Sequence, residues 1–125
     1  ILIGLVGSEM CIRDRFYSDG CGKGRAFYLK PAAAVASARR AGTTATLDQL
    51  NKYFTIAQMP VISSRYWNMV HGFTPEDVMK DLEGLQVMRV LARNMAYFLK
   101  CKAAGAAAGV EPPKTERAIL TNFID

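Results

Sequence analysis

Two short segments gather the residues able to do chemistry. The first is Arg39-Arg40-Ala41-Gly42-Thr43-Thr44, preceded by Ser37 and Ala38, which sets guanidinium groups, hydroxyls and a glycine close together. Where a strand passes into a helix, the free backbone N–H groups suit an anion or an electron-rich ring edge. Gly42 allows close backbone approach or a positive φ. An ordinary turn with both arginines in water fits the same residues. The second segment is Ser63-Ser64-Arg65-Tyr66-Trp67-Asn68-Met69-Val70-His71-Gly72, which holds the only histidine of the chain. Aromatic and amide groups beside a basic turn suit a planar heteroaromatic ligand. An oligomer interface, enriched in Tyr, Trp and Arg, fits them equally well.

Other chemistries find less support. No G-x-S-x-G elbow accompanies His71, and no cysteine has an activating context, so a hydrolytic triad is disfavoured. One histidine without clustered ligands speaks against a metal site. Asp19-Gly20-Cys21-Gly22-Lys23-Gly24-Arg25 is rich in glycine but lacks the G-x-x-x-x-G-K-[ST] spacing, and reads as a flexible connection. Cys11, Cys21 and Cys101 lie far apart with no C-x-x-C pair, which suits a reducing cytoplasm.

The elements that must position these segments follow from punctuation and periodicity. Residues 31–38 are small or β-branched and uncharged, and predict a central parallel strand. Thr46 and Gln49 form a T-x-x-Q capping box, with Thr44 as a second candidate cap. Leu47, Leu50, Phe54 and Ala57 then share one helical face, and Pro60 ends the segment. Val61-Ile62-Ser63-Ser64 predicts the second strand, with the aromatic cluster at its carboxyl end. Thr74-Pro75-Glu76-Asp77 is a helix start, and Glu83-Gly84 a break or bend. Leu85, Met88, Leu91, Ala92, Met95, Phe98 and Leu99 form a long apolar stripe that runs towards Gly109, before Pro112-Pro113. Residues 111–125 read as an extended arm that needs a partner surface to order.

With 125 residues, 50% hydrophobic and 22% charged, the composition is that of a globular domain or part of one. The net charge of +5 is dispersed, and no recognition motif accompanies it, which disfavours nucleic acid as a partner. No apolar run approaches the ~20 residues that cross a bilayer, and a signal peptide fits poorly. Residues 1–8, ILIGLVGS, imitate a buried strand with a phosphate turn. GLVGSEMCIRDR, however, resembles translated sequencing-adapter read-through, so residues 1–15 are expected to be foreign to the fold. Order β-α-β-α makes an α/β protein. Two strands cannot hide the last helix's stripe, which implies a missing amino-terminal half.

Taken together, KPAAAVASARRAGTTATLDQLNKYF, MPVISSRYWNMVHG, TPEDVMKDLEGLQVMRVLARNMAYFLK and TNFI resemble the NADPH-dependent FMN reductase and multimeric flavodoxin family. The resemblance covers nearly everything from Phe16 onward. It implies a fragment of a flavodoxin-like, doubly wound parallel sheet, with residues 31–38 as strand four and 61–64 as strand five. Residues 16–110 would be the carboxyl-terminal part of that domain. The first three strands, and the loop that holds the FMN phosphate, would be absent. The family's fourth-strand loop maps onto Ser37, Ala38, Arg39, Arg40, Ala41, Gly42, Thr43 and Thr44, whose backbone amides would meet the flavin's polar edge. Tyr66, Trp67, Asn68 and His71 match the segment near the flavin and the subunit contacts. Cys21 and Cys101 do not make the compact cysteine cluster of the iron–sulfur relatives.

The function implied is that of an FMN-dependent NAD(P)H oxidoreductase, passing hydride from NADPH or NADH through FMN to a quinone or similar acceptor. The resemblance further implies a homo-oligomer. The cysteines, the dispersed charge and the lack of long apolar runs lead to the expectation of a cytoplasmic protein with neither nucleic-acid nor membrane partners. A non-enzymatic electron carrier of flavodoxin type and a basic nucleic-acid-binding module are the alternatives. The fragment itself is expected to be inactive.

Overall fold

The computed structural model describes residues 27–114 together with Glu116, Ile119, Thr121 and Phe123. The expectations for residues 1–15, for Phe16-Tyr17 and for the turn at Asp19 to Arg25 lie outside the described residues. The elements are β1 (Ala36–Ala38), α1 (Thr43–Ile56), β2 (Met69–His71), α2 (Pro75–Val78) and α3 (Leu82–Ala107). The chain is thus a mixed α/β protein with a two-stranded parallel sheet and three helices among the described residues.

Alanine in β1 is explained by what lies on it. Ala34 and Ala36 are buried against Leu47 of α1, with Phe54 and Met69 packed around them. Side chains this small let the helix sit close to the strand, and that packing outweighs alanine's weak β-propensity. Successive strand residues face opposite sides. Met69 therefore faces α1, while Val70 faces α3, whose Gly84 comes close to the Val70 backbone. One helix covers each face of the sheet.

Pairing is shorter than expected on β1 and displaced on its partner. Within residues 31–38 only Ala36–Ala38 forms a ladder, and Ala32 makes one isolated bridge to Val61. The second strand is not at Val61 to Ser64 but at Met69–His71. The reason is register. From the Ala32–Val61 bridge to the Ala36–Met69 pair, one segment advances four residues and the other eight. The surplus leaves the ladder as an excursion over residues 62–68. Ser64 Oγ donates to the Val87 carbonyl (2.7 Å) and Asn94 Nδ2 donates to the Ser63 carbonyl (2.8 Å), which tie the excursion to α3.

Along residues 32–38, Ala32, Ala36 and Ala38 bond towards β2 and its approach. By alternation, the N–H and C=O groups of Ala33, Val35 and Ser37 point to the other side, where no described strand lies.

α1 begins earlier than the expected capping box. Gly42, at φ +92°, turns the chain into the helix, and Thr43 is buried with its hydroxyl donating to Met69 Sδ (3.1 Å). Thr46 is therefore already inside the first turn, and its Oγ1 donates back to the Gly42 carbonyl (2.9 Å). On the expected apolar face Leu47 and Ala57 are buried and Phe54 partly so, while Leu50 is exposed.

α2 starts as its sequence predicts: Thr74 Oγ1 accepts from the Asp77 N–H, and Pro75 leads the helix. The break expected at Glu83-Gly84 falls before it instead, at residues 79–81, because Asp81 caps α3. Gly84 lies buried inside the first turn of α3. A Cβ there would meet the Asp81 carboxylate and, at 3.0 Å, Cα of Val70. The buried face of α3 is Gly84, Val87 and Leu91, whereas Ala92, Phe98 and Leu99 of the expected stripe are exposed. Gly109, at φ +83°, then closes α3, with the Val110 N–H donating to the Gly105 carbonyl (2.9 Å). Among the described residues no helix is long and apolar enough to cross a membrane.

Candidate functional site

Parallel strands end at the same side of their sheet. Ala38 stands opposite His71, and the Gly72 N–H donates to the Ala38 carbonyl (3.2 Å). Two connections leave this carboxyl end: residues 39–42 lead into α1, and residues 72–74 lead into α2. Arg39 spans them, its Cζ 4.8 Å from the centroid of the Phe73 ring.

The start of α1 is electrostatically open. Gly42 supplies no side chain to cap it, and no acidic residue occupies its first turn. Its unopposed N–H dipoles carry partial positive charge, and Arg39 and Arg40 add full charges beside them. Ser37, Arg39, Arg40, Ala41, Gly42 and Thr44 are exposed here, and Ala38 is half-buried. Thr43 differs: it turns inward onto Met69 and is part of the packing.

His71 is half-buried at the same end of the sheet. Its N–H donates to Asp81 Oδ2 (2.7 Å), and its Nδ1 lies 3.9 Å from that oxygen. Asp81 Oδ1 accepts from the Gly84 N–H (2.9 Å). These two backbone donors, Gly84 first and then His71, hold the Asp81 carboxyl below its ordinary range against the opposing effect of burial. Asp81 was not among the residues singled out from sequence. Its signal was an Asp three residues before a glycine at the head of an apolar helix.

The aromatic cluster is placed differently from expectation. Tyr66, Trp67 and Asn68 precede β2 instead of following a strand, because the ladder forms only after the excursion. Tyr66 and Trp67 meet edge to face, 4.7 Å between centroids and 71° between planes. With Leu47, Asp48 and Asn51 of α1, they wall a hollow of about 340 Å³. Tyr66 also joins His71, Asp81 and Val87 around a smaller hollow of about 70 Å³. Tyr66 thus connects the excursion with the strand end, while Trp67 belongs to the α1 side alone. The Asn68 carbonyl accepts from the Ala36 N–H (3.0 Å), and its buried side-chain Oδ1 has no partner. Arg65 is paired with Glu83 at 3.0 Å, near the exposed start of α3.

Chemically, this arrangement offers positive charge, backbone N–H groups and flat apolar surface. It offers no nucleophile beside a base. Among the described residues no group of three or more His, Cys, Asp or Glu side chains is placed to hold a metal ion. Comparison with protein-family models, with curated proteins and with solved structures returned no match.

Proposed function

We propose that the chain is the carboxyl-terminal part of a flavodoxin-like, FMN-dependent NAD(P)H oxidoreductase, and that the carboxyl end of the sheet is the flavin-ring half of its site. The observation that carries this reading is the Ala38–His71 pairing, which brings the open start of α1 beside a second strand end. In open α/β sheets, ligands bind outside the carboxyl ends of parallel strands. The side of β1 on which no described strand lies agrees with further strands in a longer protein.

The residues present suit the polar edge of an isoalloxazine ring, which takes N–H donors and positive charge. Backbone N–H groups around Gly42 and Thr44, together with Ser37, Ala38, Arg39 and Arg40, would hold that edge. His71, Tyr66 and Trp67 are the candidates for contacts from the second strand's side. FMN, when bound, supplies the hydride chemistry between NADPH or NADH and an acceptor such as a quinone. The chain's own part is to orient the ring and favour negative charge on it, through helix dipole and guanidinium. A net charge of +5 supports an enzyme over an electron carrier, which docks through acidic surface.

The test is expression of the reading frame extended upstream of these residues. The longer protein is expected to purify yellow and to oxidise NAD(P)H with a quinone, whereas this chain alone retains no FMN. A colourless protein without NAD(P)H oxidation sinks the proposal, and salt-sensitive binding to arbitrary DNA would replace it with the nucleic-acid reading.

A further inference from the structure

The carboxyl-terminal half of α3 carries apolar surface that the sheet does not use. Phe98, Cys101, Gly105 and Val110 line an open groove of about 430 Å³, closed on its far side by Tyr28 and Leu29. Lys102 Nζ donates to the Leu29 carbonyl (2.6 Å) and fixes that wall. Gly105 gives the groove depth, since a Cβ there would meet only Val110, at 3.8 Å.

The chain also carries a segment of matching chemistry. Residues 118–124 read Ala-Ile-Leu-Thr-Asn-Phe-Ile, and Ile119 and Phe123 stand 89% and 94% exposed, away from their own groove. Between groove and tail lie Pro112 and Pro113, which line the groove's rim and stiffen the exit. Prolines at the exit and apolar side chains exposed to water favour capture by another copy over folding back.

We infer that two copies of this chain exchange their tails, residues 118–124 of each lying in the α3 groove of the other. The contact is self-complementary, so two copies close and leave neither tail exposed. It does not rest on the flavin reading, because the groove lies outside the residues placed at the carboxyl end of the sheet.

Native Cys101 in the groove makes the exchange directly testable. In a Cys11→Ser, Cys21→Ser background, Phe123→Cys is expected to form a disulfide-linked dimer on mild oxidation. Its yield should be several-fold above that of Asp48→Cys, which places a thiol on α1 instead. Gly105→Leu, which fills the groove and suits a helix, should abolish the crosslink and shift sedimentation of the otherwise unaltered chain to the monomer. A disulfide within one chain, a yield no higher than Asp48→Cys, or a Gly105→Leu protein that still crosslinks would each overturn the exchange.

Discussion

α1 and α3 cover opposite faces of one sheet, yet their amino ends are finished in opposite ways. α3 is closed from within: Asp81 accepts from the N–H groups of Gly84 and His71, and Glu83 adds an acid to the first turn. α1 is left open: Gly42 has no capping side chain, its first turn has no acid, and two arginines stand beside it. A helix end that satisfies its own dipole contributes to stability. One that does not is free to do so with something else. The contrast separates a structural joint from an end left open, and it is the open end that the proposed flavin site uses.

The largest expected effect lies at the closed end. Gly84→Ala puts a methyl against the Asp81 carboxylate and the Val70 backbone, and is expected to cost about 3 kcal/mol of stability in urea unfolding followed by circular dichroism. At the open end nothing lies within 4 Å of a Cβ on Gly42. Gly42→Ala should therefore cost only about 1 kcal/mol, for its positive φ. Equal losses at the two glycines would erase the difference between the ends.

Asp81 gives the next effect. Its carboxyl titrates below its ordinary value of 3.8, chiefly through the Gly84 N–H. Stability from that depressed pKa is fully present above the ordinary value and is lost as pH falls through the lowered one. Asp81→Asn is expected to lower stability at neutral pH by about 1 kcal/mol and to flatten the acid limb of the stability–pH curve. An acid limb equally steep in the variant would remove Asp81 as its source.

The smallest effect sharpens the contrast from the other side. Thr44→Glu supplies the acid that the first turn of α1 lacks, at the position equivalent to Glu83 in α3. It should stabilise the chain by about 0.3–1 kcal/mol, seen as a raised thermal midpoint. A lowered midpoint would mean that the end of α1 is already satisfied.

Sequence disclosed what depends on neighbours in the chain. The Thr74-Pro75 start of α2 and the stop of α3 at Gly109 are local chemistry, and both stand where the residues put them. The parallel α/β order was also legible. Strand register was not. Val61-Ile62 and Met69-Val70 are both short apolar pairs, and only the alignment with β1, more than thirty residues away, selects the second. Tyr66 and Trp67 were misplaced with it. The capping box at Thr46 was sound chemistry in the wrong frame, since Gly42 had already turned the chain. On α3 the stripe counted from Leu85 and Met88 misses Val87, the most buried side chain, because Gly84 rather than Leu85 meets the sheet. Residues 37–44, exposed apart from Ala38 and the buried Thr43, lie together because they are contiguous.

The side of β1 on which no described strand lies also bears on how copies of this chain behave at high concentration. Its outward N–H and C=O groups are a template for one added strand, since β2 holds the other edge. A strand arriving there meets the adjacent charges of Arg39 and Arg40, exposed just past the end of β1. Charges beside an open edge are the gatekeepers that natural strands carry against such pairing. Arg39 and Arg40 are placed to discourage it at the end of the strand that they terminate.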